Sequence, residues 1–346
     1  MKHLVILIIA LIAITSLPAV IRTVDINTPS IGQYNNWYSA YNAAANGDTI
    51  YLYPSLVDYG SQYIAKNITI VGAGFDPANP SLITTKFTPY VNAVGGTGAR
   101  FIGLDCGSSS YTYPVQVSNC RFASSVSLTR SGHTFTDCNF KSTVYVGDGT
   151  TQTSDNVFTS CFFDCDTYKV YLQPLAAIIL FNSIFYGNSY HVYCGGNYTN
   201  AAFNHCLFVN RGTGTQYLAT GNTSTANLVF TNSIFEAISN IPANFTYLYN
   251  IWEGTSANVT DPSNLQGVNL ANVMVDVNGG NYHLITGSLA SGAGQSGVDI
   301  GIYGGTSPFD DLWYLTFLAN ITDFDCPAIV NQAGQLNLHI QAQCGN

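Results

Sequence analysis

The sequence predicts an all-β chain wound into one long parallel β-solenoid, and three observations lead there. A short skeleton recurs in VQVSNCRF, HTFTDCNF, NVFTSCFF, IILFNSIF, AAFNHCLF and LVFTNSIF. Each has a large apolar residue, two intervening residues, Cys or Ser, one more residue and then Phe. The residue just before the Cys/Ser slot is usually Gly, Asn or Asp, the types that tolerate left-handed backbone angles. Finally, hydrophobic residues make up 47% of the chain yet occur in short β-type runs.

Taken in order, the chain opens MKHLVILIIALIAITSLPAV, a basic start, an apolar run and small residues. This reads as an export signal over residues 1–19, with a retained anchor as the alternative. No later run is long and apolar enough to span a bilayer, so the rest is expected to be exported and soluble. Trp37, Tyr41 and Ala44 have helix-face spacing, and Asn46-Gly47 can stop that helix before a strand at Thr49–Leu52.

The repeat then begins. Its slot falls at Leu104, Cys120, Cys138, Cys161, Ser183, Cys206, Ser233 and Ile251. Three residues earlier stand Phe101, Val117, Phe135, Phe158, Leu180, Phe203, Phe230 and Leu248, and two residues later Cys106, Phe122, Phe140, Phe163, Phe185, Phe208 and Phe235, until Glu253 breaks the series. Strict alternation would put the first and middle positions on opposite faces, yet both are apolar. A corner between them removes the conflict: Gly103, Asn119, Asp137, Ser160, Asn182, His205, Asn232 and Asn250 stand there. Each unit is therefore strand, corner, strand, and stacked units turn like side chains into interior columns about 4.8 Å apart. A slot that accepts Cys or Ser is small and buried, so its cysteines pack rather than pair.

After Gly305 the pattern stops. TSPFDDLWYLTFLANITDFDCPAIVNQAGQLNLHIQAQCGN contains an alternating LNLHIQA strand and is too short to bury a core alone. Cys326 and Cys344 bracket it and are candidates for a disulfide that closes the tail. The expected organisation is a signal at 1–19, a solenoid at 20–305 and a carboxy-terminal cap or attachment segment at 306–346.

Beyond the ladder, three segments resemble a known family. NNWYSAYNAAANGDTIYLYPSLVDYGSQYIAKNITIVGAGF looks like the amino-terminal helix and first coils of the secreted parallel β-helix proteins of the pectate-lyase-like superfamily. DVNGGNYHLITGSLASGAGQSGVDIGIYGG resembles the exit coil of bacterial members, and CPAIVNQAGQLNLHIQA the segment that follows it in some of them. The resemblance spans about residues 36 to 305. It implies a right-handed, single-stranded parallel β-helix whose short helix caps the open amino-terminal end. It also implies extracellular polysaccharide as the ligand class, with lyase or hydrolase activity in the enzymatic members.

Only 8% of residues are charged and the formal net charge is −9. Such a surface cannot neutralise phosphates, which argues against nucleic acid, and it disfavours a strongly polyanionic glycan unless a metal bridges it. The one concentration of charge lies downstream of the slot on consecutive coils: Lys141, Asp164, Asp166, Lys169, His191 and Arg211. If these converge outside the coil, Asp164 and Asp166 are candidate acids or calcium ligands, Lys169 a candidate base and His191 a further catalytic candidate. Against this, stacked opposite charges are ordinary on solvated coils, and DCD lacks a third carboxylate at a matching offset. His205 reads as a corner residue, and His133 has no organised partners. The adjacent Asp pair and GHG segment of polygalacturonase-like hydrolases are missing.

Tyrosine is plentiful, in YKVYLQP, YGNSYHVYCGGNYT and FTYLYNIWEG. Aromatic rings can stack on sugar faces within a neutral hydrogen-bonding surface. The sequence thus points to a secreted or cell-surface β-helix that recognises a glycan or serves structurally, without a cofactor. The alternative is a polysaccharide lyase or glycoside hydrolase built on the Asp164 set, with calcium as its metal.

Overall fold

The computed structural model describes residues 19–76, 83–188, 190–210, 216–311, 320–325 and 339–343. Three sheets of parallel strands, with eleven, nine and eight members, each take one strand per turn of the chain. We call them sheets A, B and C. A turn runs from an A strand round a corner to a C strand and on through a loop to a B strand. Val115–Ser118, Arg121–Phe122 and Val126–Leu128 form one such turn. Sheet neighbours are successive turns throughout, and the fold is the expected single-stranded parallel β-helix.

The interior columns are present. Phe122, Phe140, Phe163, Phe185, Phe208, Phe235 and Trp252 stack along sheet C with successive ring centroids 3.7 to 5.1 Å apart. That range brackets the strand spacing of about 4.8 Å. Phe135 and Phe158 stack 5.0 Å apart along sheet A, as Phe203 and Phe230 do at 4.6 Å. Burying each such ring stabilises the fold by roughly 1.5–3 kcal/mol, so the column adds substantially to the cohesion between turns.

The corners behave as their residue types require. Gly103, Asn119, Asp137, Ser160, Asn182, His205 and Asn232 all take positive φ, from 48° to 65°. Beside them the slot residues tie the turns together. Ser183 Oγ donates to Phe181 O at 2.8 Å and accepts the backbone N–H of Cys161 at 3.1 Å. Ser233 Oγ does the same with Thr231 O and Cys206 N. Cys120, Cys138, Cys161 and Cys206 are completely buried, and all seven described cysteines are free thiols. Cys326 and Cys344 lie outside the described residues, as do residues 1–18 of the expected signal.

At the last full turn the expected phase slips by one residue. Tyr247 pairs with Phe230, Ile251 with Ile234 and Trp252 with Phe235, while Tyr249 takes the positive φ of 55°. The slot is therefore Asn250, not Ile251, and Trp252 continues the column that Glu253 was expected to end. A residue absent from the Cys/Ser skeleton hid this turn. Asn264 then fills the slot once more, donating to Tyr247 O and accepting from Asn250 N.

At the other end, the helix Trp37–Ala43 forms with Asn36 as its N-cap, whose Oδ1 accepts from Ser39 N at 2.9 Å. Lys66 Nζ closes its far end by donating to the carbonyls of Tyr41 and Ala44, both at 2.6 Å. Trp37 is buried edge-on to Phe87. The helix is not the first element, however. Ile21–Val24 precedes it and pairs with Thr49–Leu52 as the outermost strand of sheet A.

The segment expected to be an exit coil adds no strand to the three sheets. Met274–Asp276 and Asn281–Leu284 form an antiparallel hairpin, and the chain to Phe309 folds back over the outer face of sheet C. There Ile184, Leu207, Ile234 and Ile251 form a second core with Val273, Met274, Tyr282, Ile300 and Ile302. Residues 295–304 are tied to the corners: Asn182 Nδ2 donates to Ile302 O and Gly304 O, and Asn232 Oδ1 accepts from Gln295 N. In the tail, Asn320–Asp325 pairs antiparallel with His339–Gln343, which includes most of the alternating LNLHIQA run.

Candidate functional site

The described members of the charged set do not gather on the outer face of the coil. Lys141 ion-pairs with Asp164, while Asp166 is exposed beyond it. Lys169 was expected to face solvent but is completely buried, its ammonium donating to Asn188 O at 2.7 Å. Burial lowers its pKa to about 8. His191 is likewise completely buried, with Nε2 2.9 Å from Gln216 Oε1. Gln216 Nε2 in turn donates to Gly187 O and Asn210 Oδ1, which leaves its oxygen to accept from the imidazole. Burial, and the Lys169 charge after it, hold His191 well below its ordinary pKa. Lys169 turns inward at the end of the loop after Asp164, directly before the strand Val170–Leu172, and His191 turns inward beside Val192 within Tyr190–Cys194, where the alternation is broken. Arg211 lies outside the described residues.

Calcium does not fit this set. Asp164 is engaged by an ammonium, and among the described residues no three His, Cys, Asp or Glu side chains come together as a metal-binding group. His133 is buried with neither ring nitrogen hydrogen-bonded, and burial lowers its pKa to about 4.

A different feature occupies the outer face of sheet B. Its strands Val144–Val146, Val170–Leu172 and Tyr190–Cys194 bury their valine, leucine and cysteine side chains and turn the residues between them outward. Strict alternation thus sends Tyr145, Tyr171 and Tyr193 to the surface in one column, with ring centroids 5.3 Å and 4.3 Å apart. Tyr168 lies 4.8 Å from Tyr193 and 5.3 Å from Tyr190, which stacks on Tyr217 at 4.9 Å. Six tyrosines therefore form one continuous strip. Ser127 and Thr220 are the in-register neighbours beyond its ends, so the outer ring of Tyr145 is followed by a small side chain.

Clefts lie where the carboxy-terminal segment folds back, and two of them carry polar groups that no sequence pattern marks. One, of about 280 Å³, is lined by Glu236, Glu253 and Asp276. Glu236 and Glu253 follow directly on consecutive strands of sheet C; burial, and Glu253 after it, raise the pKa of Glu236. The other, of about 520 Å³, holds His283, Tyr303 and Asp311 beside Phe162 and Tyr282. A signal for the fold-back was present in the sequence. From Phe162 onward the residue after the slot is apolar (Phe162, Ile184, Leu207, Ile234, Ile251), whereas earlier coils have Asp105, Arg121 and Asn139 there. A strand apolar on both faces is covered on both faces.

Among the described residues no helix is long and apolar enough to cross a membrane. No protein-family model matches the chain, and no curated protein resembles it in sequence. Among solved structures it is similar to the crystal structure of pectate lyase Pel9A at 12% sequence identity, with a TM-score of 0.46 over 82% of this chain and 95% of that one.

Proposed function

We propose that this protein is an extracellular β-helix that recognises a neutral or weakly charged glycan through the tyrosine strip of sheet B, without turning it over. The observation that carries this reading is the column Tyr145, Tyr171 and Tyr193, flanked by Tyr168, Tyr190 and Tyr217. The strip joins apolar ring surface to phenolic hydroxyls, follows the solenoid axis and has no charged side chain among its members. A sugar chain laid along it meets a repeating row of hydrogen-bonding groups at the strand spacing of about 4.8 Å. The net charge of −9 suits a neutral ligand better than a polyanion.

The test is a glycan array with the mature protein, followed by Tyr171→Ala and Tyr193→Ala on the best ligand. Each substitution is expected to weaken binding about tenfold, or ~1.4 kcal/mol. Unchanged binding in both variants, with folding intact, sinks the reading.

A hydrolytic reading attaches to a different pair from the one first expected. Glu236 and Glu253 are adjacent carboxylates in a cleft, and the raised pKa of Glu236 is what a general acid needs. Reducing ends released from a polysaccharide by the parent chain, and lost in Glu236→Gln and Glu253→Gln, would replace the binding reading with this one.

A further inference from the structure

The cleft that holds His283, Tyr303 and Asp311 has the size and lining of a ligand site. Its volume of about 520 Å³ lies in the range of small-molecule pockets. One side is apolar, formed by Phe162 and Ile184 on the coils and by Tyr282 and Phe309 on the fold-back, the last two each 7% exposed. The other side is a fixed polar group. Asp311 Oδ2 lies 2.7 Å from His283 Nε2, and Tyr303 OH donates to Asp311 Oδ1 at 2.6 Å. The Tyr303 and His283 rings stack face to face at 4.0 Å. Three exposed or half-exposed side chains thus hold one another in a single arrangement, against the rotamer entropy that water-facing groups otherwise keep. Gly280, at φ 80°, places no side chain at the mouth.

The chemistry of this lining selects a ligand. Each carboxylate oxygen of Asp311 has a second lone pair, so the group can accept two further hydrogen bonds in directions its partners have fixed. A purely apolar ligand would strip water from Asp311 and return nothing. An anion would meet the carboxylate and the net negative charge of the chain. A cation is drawn to aromatic rings and a carboxylate, but this carboxylate is already met by two donors and presents directional acceptors more than an open field. A pyranose ring has what is wanted: an apolar face for the aromatic wall and an edge of adjacent hydroxyl donors for Asp311.

We infer that the cleft between sheet C and the fold-back binds a single neutral pyranose unit, with Asp311, positioned by His283 and Tyr303, accepting two of its hydroxyls. This rests on the glycan reading for its ligand class but on a separate surface from the tyrosine strip. Together the two would let the protein engage a chain along sheet B and an end or branch at sheet C.

The test titrates the full chain with methyl β-glucopyranoside, methyl β-galactopyranoside and methyl α-mannopyranoside, with His283 followed by NMR. At least one sugar is expected to shift His283 saturably, and Asp311→Asn and Tyr303→Phe should each weaken that binding about tenfold. Tyr171→Ala should leave binding of the monosaccharide at the cleft unchanged. Sugar binding that survives loss of the strip upholds the cleft even if the strip reading fails. The inference is overturned if no sugar shifts His283, if tetramethylammonium shifts it where the sugars do not, or if Asp311→Asn, folded by circular dichroism, binds the sugar as the parent does.

Discussion

Asn250 Oδ1 accepts the backbone N–H of Ser233 at 2.8 Å, and Asn250 Nδ2 donates to Phe230 O at 2.9 Å. An amide thus accepts the inter-turn N–H that the Ser183 and Ser233 hydroxyls accept, and donates to the preceding turn's carbonyl, the counterpart of Phe135 O beside Cys161. The interior slot is defined by this pair of bonds and by lack of space, not by sulfur. Asn250 is completely buried, and replacing it by Leu strands a donor and an acceptor in the core. Asn250→Leu is expected to cost about 2–4 kcal/mol in urea unfolding.

The same logic predicts tolerance at Cys161. Its Sγ lies 3.4 Å from Thr159 O and 3.6 Å from Phe135 O. Cys161→Ser keeps a donor there and should change stability by less than about 1 kcal/mol, while Cys161→Leu forces a larger side chain into a filled space and should cost about 1–3 kcal/mol. Matched unfolding curves check the ordering, and equal losses for the two would show that the slot does not require a small donor.

At the corner before Cys138, Asp137 has φ 53°, and burial, with Asp310 after it, raises its pKa to about 7. A raised carboxyl pKa means that the folded state favours the protonated form. The associated stability is fully present below the ordinary value of 3.8 and is lost as pH rises through about 7. Asn keeps the left-handed corner, as Asn119, Asn182 and Asn232 do, and carries no charge. Asp137→Asn should therefore match the parent in melting temperature near pH 4 and exceed it near pH 8 by the equivalent of about 1 kcal/mol, since part of the carboxylate remains in water.

The columns, corners and slot were legible because each turn repeats the same steric problem and the chain solves it with the same few residue types. Phe135 and Phe158 could be placed on one column from spacing alone. Lys169 and His191 could not. They follow loops of unequal length, where alternation no longer fixes which way a side chain points, and burial turned two candidate catalytic groups into members of the wall. The tyrosines were visible as composition, but only the buried Val144, Val146, Val170 and Leu172 on either side determine that Tyr145 and Tyr171 face out. The Asp311 site was illegible for another reason. It joins Phe162 to residues more than a hundred positions later, through a fold-back that no local pattern sets.

That fold-back is clamped through His205. Its Nδ1 lies 3.2 Å from Gly301 O, and its Nε2 faces Asn232 Nδ2 at 3.2 Å, which places the ring proton on Nδ1. A Cβ at Gly304 would come within 2.6 Å of the imidazole, so glycine there lets the strap lie flat on the ring. Burial holds the His205 pKa below its ordinary 6.5, partly opposed by Gly301 and Asp299. For a lowered pKa the stabilisation is present above 6.5 and is lost as pH falls through the folded value, because a proton on Nε2 would confront the Asn232 amide. Protection factors at residues 295–304, exchange rates corrected for the intrinsic pH dependence, should therefore fall as pH drops below the ordinary imidazole range, and His205→Asn should abolish that fall while keeping the corner. Protection factors that do not change with pH in the parent chain would sink the clamp.

Lys169 offers the sharpest contrast between a structural and a catalytic role. Its pKa lies near 8, against an ordinary value of 10.5, because burial penalises the ammonium. A depression of that size corresponds to about 3 kcal/mol. The sign follows: at pH 7 the folded chain bears this penalty in full, and it is relieved as pH rises from about 8 to 10.5. Lys169→Met fills the same space without the charge but leaves Asn188 O unpaired, which returns about 1 kcal/mol or more. The variant should therefore be at least as stable as the parent at pH 7, by up to about 2 kcal/mol, with the advantage gone near pH 10. A catalytic base would give the opposite signature, with little change in melting temperature and loss of any polysaccharide cleavage. The two outcomes are read from one pH series of melting curves and one assay of reducing ends.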